Sequence, residues 1–383
     1  MLLFVGLADN QMIAAIIPAL MRAFGVSVAA AGFLVVVYSI LAAGAGLAAG
    51  TLSDRYGRRR FLLMAAVVFT LASWLASRTQ TFSQLLAARG LTGAAAGTIS
   101  TCALAYAGDA FDYSVRGRAL GFISVAYFAA PVIGVPLAAQ ATSSFGWRSA
   151  FLLFAALACV AGFSVLFLPK DGVGRATGAF NFRQSAQTFR GFLHRRDLAA
   201  GIGLAFFVSG GLVGFLTYIG AWLNAEFGLT TGGIGWVFMY AGIVAVIGAP
   251  VGGLWADRRS KRSVAIAGNV LLAAAVVLIP SFSWGVILLV VFGAASLGAG
   301  LRQGPLTALM TELVPDATRG SYMAARGVSS QLGIGAVVFV GGMLYGHWGY
   351  AAVTLLCGLL TAAAAVVLYV WIAEPERVAG RRA

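Results

Sequence analysis

Asp9 is the side chain in this sequence with most reason to do chemistry. Of the 12 acidic residues it alone lies well within an apolar stretch, that of residues 2 to 24. A carboxylate in hydrocarbon costs several kcal/mol, so it has to face a polar cavity, pair with a cation or take up a proton. Burial favours the neutral acid and a nearby arginine favours the carboxylate, so moving between those settings would let Asp9 load and release a proton. Asn10 and Gln11 lengthen the polar break; with about 100° between successive helical residues, the three cannot share one face.

Arg89, Arg302 and Arg326 also fall within apolar stretches. An arginine keeps its proton, so each needs an acid, carbonyls, water or a substrate anion around it. Arg302 with Gln303, and Arg326 with Gln331, supply the second half of the chain with cations and no buried acid. That imbalance favours, as an alternative, recognition of an anionic substrate by arginine. Tyr38, Tyr127, Phe128, Phe206, Phe207, Tyr218, Trp222, Trp236 and Tyr240 lie in neighbouring stretches. Their rings offer apolar area, with one polar handle on Tyr and Trp, and are expected to line a broad pocket for an amphipathic substrate, beside Asn10, Gln11, Arg302 and Gln303.

The elements that position these residues are read from composition. The 383 residues are 60% hydrophobic and 10% charged, whereas soluble domains carry about a quarter of their residues as charges; a soluble protein is excluded. A membrane helix takes about 20 apolar residues. Such stretches occur at about 2–24, 29–51, 60–77, 82–108, 118–141 and 147–168, then at about 199–224, 231–255, 263–280, 284–311, 321–345 and 348–372. The first is too long for a signal-peptide core and is read as a span. An all-α membrane protein follows, with bundles at 1–168 and 199–373, a linker at 169–198 and a tail at 374–383. Within the linker, residues 180 to 192 read either as an amphipathic surface helix or as solvated chain. Cys102, Cys159 and Cys357 show neither CxxC nor metal-ligand spacing, so no metal or cofactor is expected.

The net charge of +14 is a topology signal. With the N-terminus inside, twenty of the 26 Lys and Arg residues fall on one side, in the clusters Arg55 to Arg60, Arg116 and Arg118, the linker, Arg258 to Arg262, Arg319 and the tail. Arg22, Arg78 and Arg148 fall on the other. By the positive-inside rule both termini are cytoplasmic, and nucleic acid is not needed to explain the charge. A repeat also emerges. Gly50-Thr-Leu-Ser-Asp54-Arg55 and Gly253-Leu-Trp-Ala-Asp257-Arg258 are offset by 203 residues, as are Arg116-Gly117 and Arg319-Gly320, and Phe145-Gly146-Trp147 and Trp348-Gly349-Tyr350. Two homologous six-helix halves account for all three.

With these features the chain resembles the major facilitator superfamily over its whole length. Gly50 to Arg60, reading G-T-L-S-D-R-Y-G-R-R-R, matches the signature G-x-L-a-D-R-x-G-R-R between spans 2 and 3; the copy at Gly253 to Arg262 has Ser260 for the second glycine. The tight turn needs Gly57, and Asp54 lies where Arg58, Arg116 or Arg118 can pair with it. The resemblance implies a latch for the outward-open state, comprising Gly50, Asp54, Arg55, Gly57, Arg58, Asp109, Arg118 and Asp257. Four details resemble the drug:proton antiporter branch: Asp9 nine residues before Pro18; Arg89 to Gly93 as R-x-x-x-G; Ala126 to Pro136, with Pro131, Gly134 and Pro136, as a partial helix 5 motif G-x-x-x-G-P-x-x-G-G; and Phe145 to Phe151 as the G-W-R-x-x-F entrance to span 6. The resemblance implies proton coupling through Asp9 and Arg89. The expected function is proton-driven efflux of a small amphipathic compound by alternating access. The alternatives are an anion or sugar-like solute held by Arg89, Arg302 and Arg326, and a non-transporting sensor. No nucleophile or nucleotide-binding pattern supports an enzyme. The expected partners are a small-molecule substrate, protons and lipid, with the chain monomeric in the bacterial cytoplasmic membrane.

Overall fold

The structure, a computed structural model, describes residues 1–110, 125–169 and 190–374. Ten of the described helices are long and apolar enough to cross a membrane. Helix Phe82–Ala110 is a further helix of comparable length, and helix Asp316–Trp371 is broken in two at Gly349, whose φ of 73° no helix accommodates. In chain order the N-terminal bundle comprises α1 (Leu2–Phe24), α2 (Val28–Tyr56), α3 (Arg58–Arg78), α4 (Phe82–Ala110), α5 (Val125–Phe145) and α6 (Trp147–Val165). The C-terminal bundle comprises α7 (Arg196–Phe227), α8 (Thr231–Arg258), α9 (Lys261–Leu278), α10 (Val286–Glu312), α11 (316–348) and α12 (350–371). The apolar stretches place these helices well but end several residues early on α2 and α8. Hydrogen bonding continues past the last apolar residue, out to the polar turns.

The offset of 203 is a structural symmetry. Ser27 caps α2 by accepting from the Ala30 N–H, and Thr230 caps α8 by accepting from the Gly233 N–H, each at 3.2 Å. Arg59 donates to the carbonyls of Val165 and Leu166, tying α3 to α6; Arg262 donates to those of Leu368 and Tyr369, tying α9 to α12. A Cβ on Gly97 would stand 2.7 Å from the Ala42 carbonyl carbon, and one on Gly300 would stand 3.1 Å from that of Ala245. Small residues let these helices cross backbone to backbone.

The bundles meet through α1 and α7, α2 and α11, and α5 and α8. Their close approaches lie in the half away from the turns at Gly57 and Ser260. Gly220 abuts Ala14, Gly342 abuts Ala29, Gly235 abuts Pro136 and Ala139, and the rings of Phe33 and Phe339 meet edge to face at 5.5 Å. One buried apolar core runs through the N-terminal bundle and into this half of the C-terminal one. Toward the basic turns the C-terminal bundle has apolar clusters of its own, around Leu306 and around Tyr322. Among the described residues the protein is thus sealed at the end opposite the basic turns and parted at the basic end.

Candidate functional site

Asp9 and Arg89 come together in the middle of the N-terminal bundle, with no exposed surface on either side chain. The Arg89 guanidinium donates through Nη1 to Asp9 Oδ2. Burying two opposite charges is tolerable only when they are paired, and this pairing is incomplete. Among the described residues Asp9 Oδ1 and Arg89 Nε and Nη2 have no partner. The third member is Tyr38 of α2: its ring centroid lies 4.6 Å from Arg89 Cζ, and its hydroxyl donates to the Gly6 carbonyl at 2.8 Å. Gly93, one turn along α4 from Arg89, makes this possible. A Cβ there would stand 2.7 Å from Tyr38 Cα, so the arginine-to-glycine spacing sets a guanidinium beside the point where α2 crosses α4.

Asp9 faces into the bundle, whereas Phe4, Leu7, Asn10 and Gln11 form a partly exposed stripe on α1. Asn10 Oδ1 has no described partner. On its other side α1 meets the partial helix 5 motif. Residues Ala130–Gly134 form a π-helical turn containing Pro131, a wide turn of the kind often found at functional sites. A Cβ on Gly134 would collide with that of Ala8, next to Asp9. Pro131 and Pro136 meanwhile pack under Gly242 and Gly235 of α8. The motif therefore touches the residue adjoining the buried acid and also the opposite bundle.

Several expected pocket residues lie elsewhere, because helical register places them away from the parted face. Tyr38 is a core residue of the N-terminal bundle. Tyr218 donates to the Val338 carbonyl at 2.6 Å and fills the sealed seam beside Gly32 and Gly342. Trp222 is buried and stacks on Tyr350 at 5.0 Å. Tyr240, with Trp236, belongs to an exposed stripe of α8 that continues through Ile243, Ile247 and Leu254, the spacing of a lipid-facing surface. Its hydroxyl donates to the Leu289 carbonyl. Arg302 is 1% exposed and turned into its own bundle. It donates to Asn269 Oδ1 at 2.6 Å and to the Val208 carbonyl at 3.2 Å, leaving Nε without a described partner. Phe128, Phe206 and Gln303 remain partly exposed. Tyr127 is exposed at the edge of α5. Arg326 donates to the Gly201 carbonyl at 3.1 Å, with no acid beside it among the described residues.

At the basic end Asp54 accepts from Arg58 at 2.8 Å, and Gly57, at φ 99°, makes the turn from α2 to α3. Arg55 lies over the Tyr56 ring at 5.4 Å, Gly50 lies against Thr101 of α4, and Asp257 is exposed at the end of α8. Arg118 and the side chain of Asp109 lie outside the described residues, as does most of the linker. In the C-terminal bundle Lys261, offset by 203 from Arg58, pairs with Glu312, offset by 203 from Asp109. Glu374 accepts from the Ser260 hydroxyl and the Lys261 N–H, capping α9. Burial pushes its carboxyl upward, but those bonds, with the Arg262 N–H and the Lys261 charge, hold it below the ordinary carboxylate value. The Lys261–Glu312 pair was within reach of the sequence through the repeat. No sequence signal pointed to Asn269.

The chain matches the Major Facilitator Superfamily over residues 1–231 and again over 202–383. It is 30% identical to a probable 4-methylmuconolactone transporter of Cupriavidus pinatubonensis (strain JMP 134 / LMG 1197), over 90% of this chain and 81% of that one. It is 25% identical to multidrug resistance protein 2 of Bacillus subtilis (strain 168), over 64% of this chain and 62% of that one. Among solved structures, a D-xylose-proton symporter superposes with a TM-score of 0.80 at 18% identity, covering 97% of each chain.

Proposed function

Since the chain belongs to the major facilitator superfamily, and so is a multi-pass membrane transporter and not an enzyme, we propose that it exports a small amphipathic compound in exchange for protons. The basic end is taken as cytoplasmic on the positive-inside rule, so the parted arrangement opens inward. The observation that carries the reading is the buried, incompletely bonded Asp9–Arg89 pair. A proton on Asp9 removes one of two buried charges and dissolves the ion pair. Such a step changes the local electrostatics by several kcal/mol without moving a helix, and the π-helical turn beside Ala8 gives it a path to the bundle interface. Alternation between sealed ends then ties proton release to substrate passage. Similarity to a multidrug resistance protein supports export of amphipathic compounds.

A second reading, carriage of an organic anion, is favoured by Arg326, which has no acid beside it, and by the similarity to a probable lactone transporter. The deciding experiment uses proteoliposomes with an imposed pH gradient and three probes: a cationic dye, a neutral aromatic and an aromatic carboxylate. The proposal expects gradient-driven flux of the dye or the neutral compound, falling at least about tenfold in Asp9→Asn. Flux that ignores both the gradient and Asp9→Asn defeats it. Flux of the carboxylate alone, lost in Arg326→Ala, establishes the second reading.

A further inference from the structure

Tyr38 stands in none of the expected proton machinery, yet it touches both partners' supports. Its ring lies under the Arg89 guanidinium and its hydroxyl is fixed to the Gly6 carbonyl, on the same helix as Asp9 and about one turn away. It is 3% exposed, so no substrate or lipid competes for the ring. Its place is set by backbone contact with Gly93, so it is as rigid as the α2–α4 crossing itself.

When Asp9 takes up a proton, a different problem appears at Arg89. The guanidinium keeps its charge, its Nε and Nη2 have no described partners, and the carboxylate that balanced it is now neutral. An aromatic face attracts a cation, most strongly away from water, and its negative face disfavours a nearby carboxylate. We propose that Tyr38 is a positioning residue for the Asp9–Arg89 pair, holding the guanidinium in place while Asp9 is protonated. This rests on the proton-coupled reading above.

The charges and titratable groups on the other helices packed against α1 are occupied elsewhere. On α5 Tyr127 is exposed. On α6 Arg148 donates to the Thr79 carbonyl and Cys159 is exposed. Tyr218 of α7 and Tyr240 of α8 donate to carbonyls in their own bundle. Arg196, Asp197, Glu226, Asp257 and Arg258 sit at the ends of α7 and α8. Among the described charged and titratable groups, Arg89 and Tyr38 are the ones set against the buried acid.

The test is infrared titration of the full chain in lipid nanodiscs, following the carboxylic-acid carbonyl band that disappears in Asp9→Asn. It needs no substrate. Tyr38→Leu is expected to move the titration midpoint to lower pH by about one unit, since the protonated state loses its cation support. Tyr38→Phe keeps the ring face and is expected to titrate like the parent. Replacing Tyr38 by pentafluorophenylalanine keeps the shape but reverses the sign of the ring face, and should reproduce the Leu shift even if Tyr38→Leu folds poorly. An unchanged midpoint in the fluorinated protein overturns the proposal, as does an equal shift in Tyr38→Phe, which would assign the effect to the hydroxyl. If no Asp9 band titrates in the parent protein, it is the proton-coupled reading that fails.

Discussion

In the N-terminal bundle a buried arginine meets a carboxylate, Arg89 on Asp9; in the C-terminal bundle a buried arginine meets an amide and a carbonyl, Arg302 on Asn269 and Val208. The two bundles share caps, turns and backbone crossings at a constant offset, yet satisfy their central cations differently. An ion pair can be dissolved by one proton. Amide and carbonyl contacts do not titrate in any physiological range, so the Arg302 charge is permanent and its geometry fixed. On the proposed proton coupling, the central charge is switchable in one half of the carrier and structural in the other.

That contrast can be broken at Arg302. Arg302→Leu leaves Asn269 Oδ1 unbonded in the core, the Val208 carbonyl keeping its helical bond, and is expected to cost roughly 2 kcal/mol of stability. It should be seen as a lower thermal midpoint of the purified protein, with any gradient dependence of residual flux retained. Loss of gradient dependence at normal stability would place Arg302 in the switch instead.

A subtler exchange sharpens the contrast. Asp9→Asn turns the N-terminal centre into a likeness of the C-terminal one, an arginine on an amide. Asn269→Asp does the converse. The second variant is expected to stay within roughly 1 kcal/mol of the parent, the new ion pair offsetting the cost of a buried carboxylate. It should also add a second titrating carboxyl band in the infrared; absence of that band would mean the C-terminal site cannot hold an acid.

The smallest effect is expected at the basic end, where each half carries a partly exposed ion pair, Asp54–Arg58 and Lys261–Glu312. Glu374→Gln removes a charge at the α9 N-terminus in a solvent-screened position, and should lower stability by less than about 1 kcal/mol. The sign with pH follows from the lowered carboxyl. The contribution is fully present above the ordinary carboxylate value of about 4.3 and is lost as pH falls through the lowered one. The difference in thermal midpoint between parent and Glu374→Gln should therefore vanish in acid; a gap that persists there would show that shape and not charge holds the contact.

Much of this was legible from residue order. Twelve apolar stretches of sufficient length account for the helices, because each transmembrane helix must satisfy its own backbone hydrogen bonds in lipid. The demand for a partner at Asp9 was equally plain, since burial cost depends on the residue and its surroundings being apolar. Gly57 was readable because only a turn needs its backbone. Less was legible where one side of a helix had to be chosen. Tyr38, Tyr218, Trp222 and Tyr240 lie in stretches so uniformly apolar that no periodicity separates a core face from a lipid face or a pocket face.

By itself the sequence determined a membrane bundle of two related halves, a basic end, one acid that must be neutralised and three arginines that must be satisfied. Only the tertiary structure decided which arginine answers the acid, a contact spanning 80 residues, and that Tyr38 braces it while Arg302 turns away. The physical reason is that composition and spacing act within a helix. The rotation of one helix against another is set by where small residues, such as Gly93 beneath Tyr38, let two backbones touch.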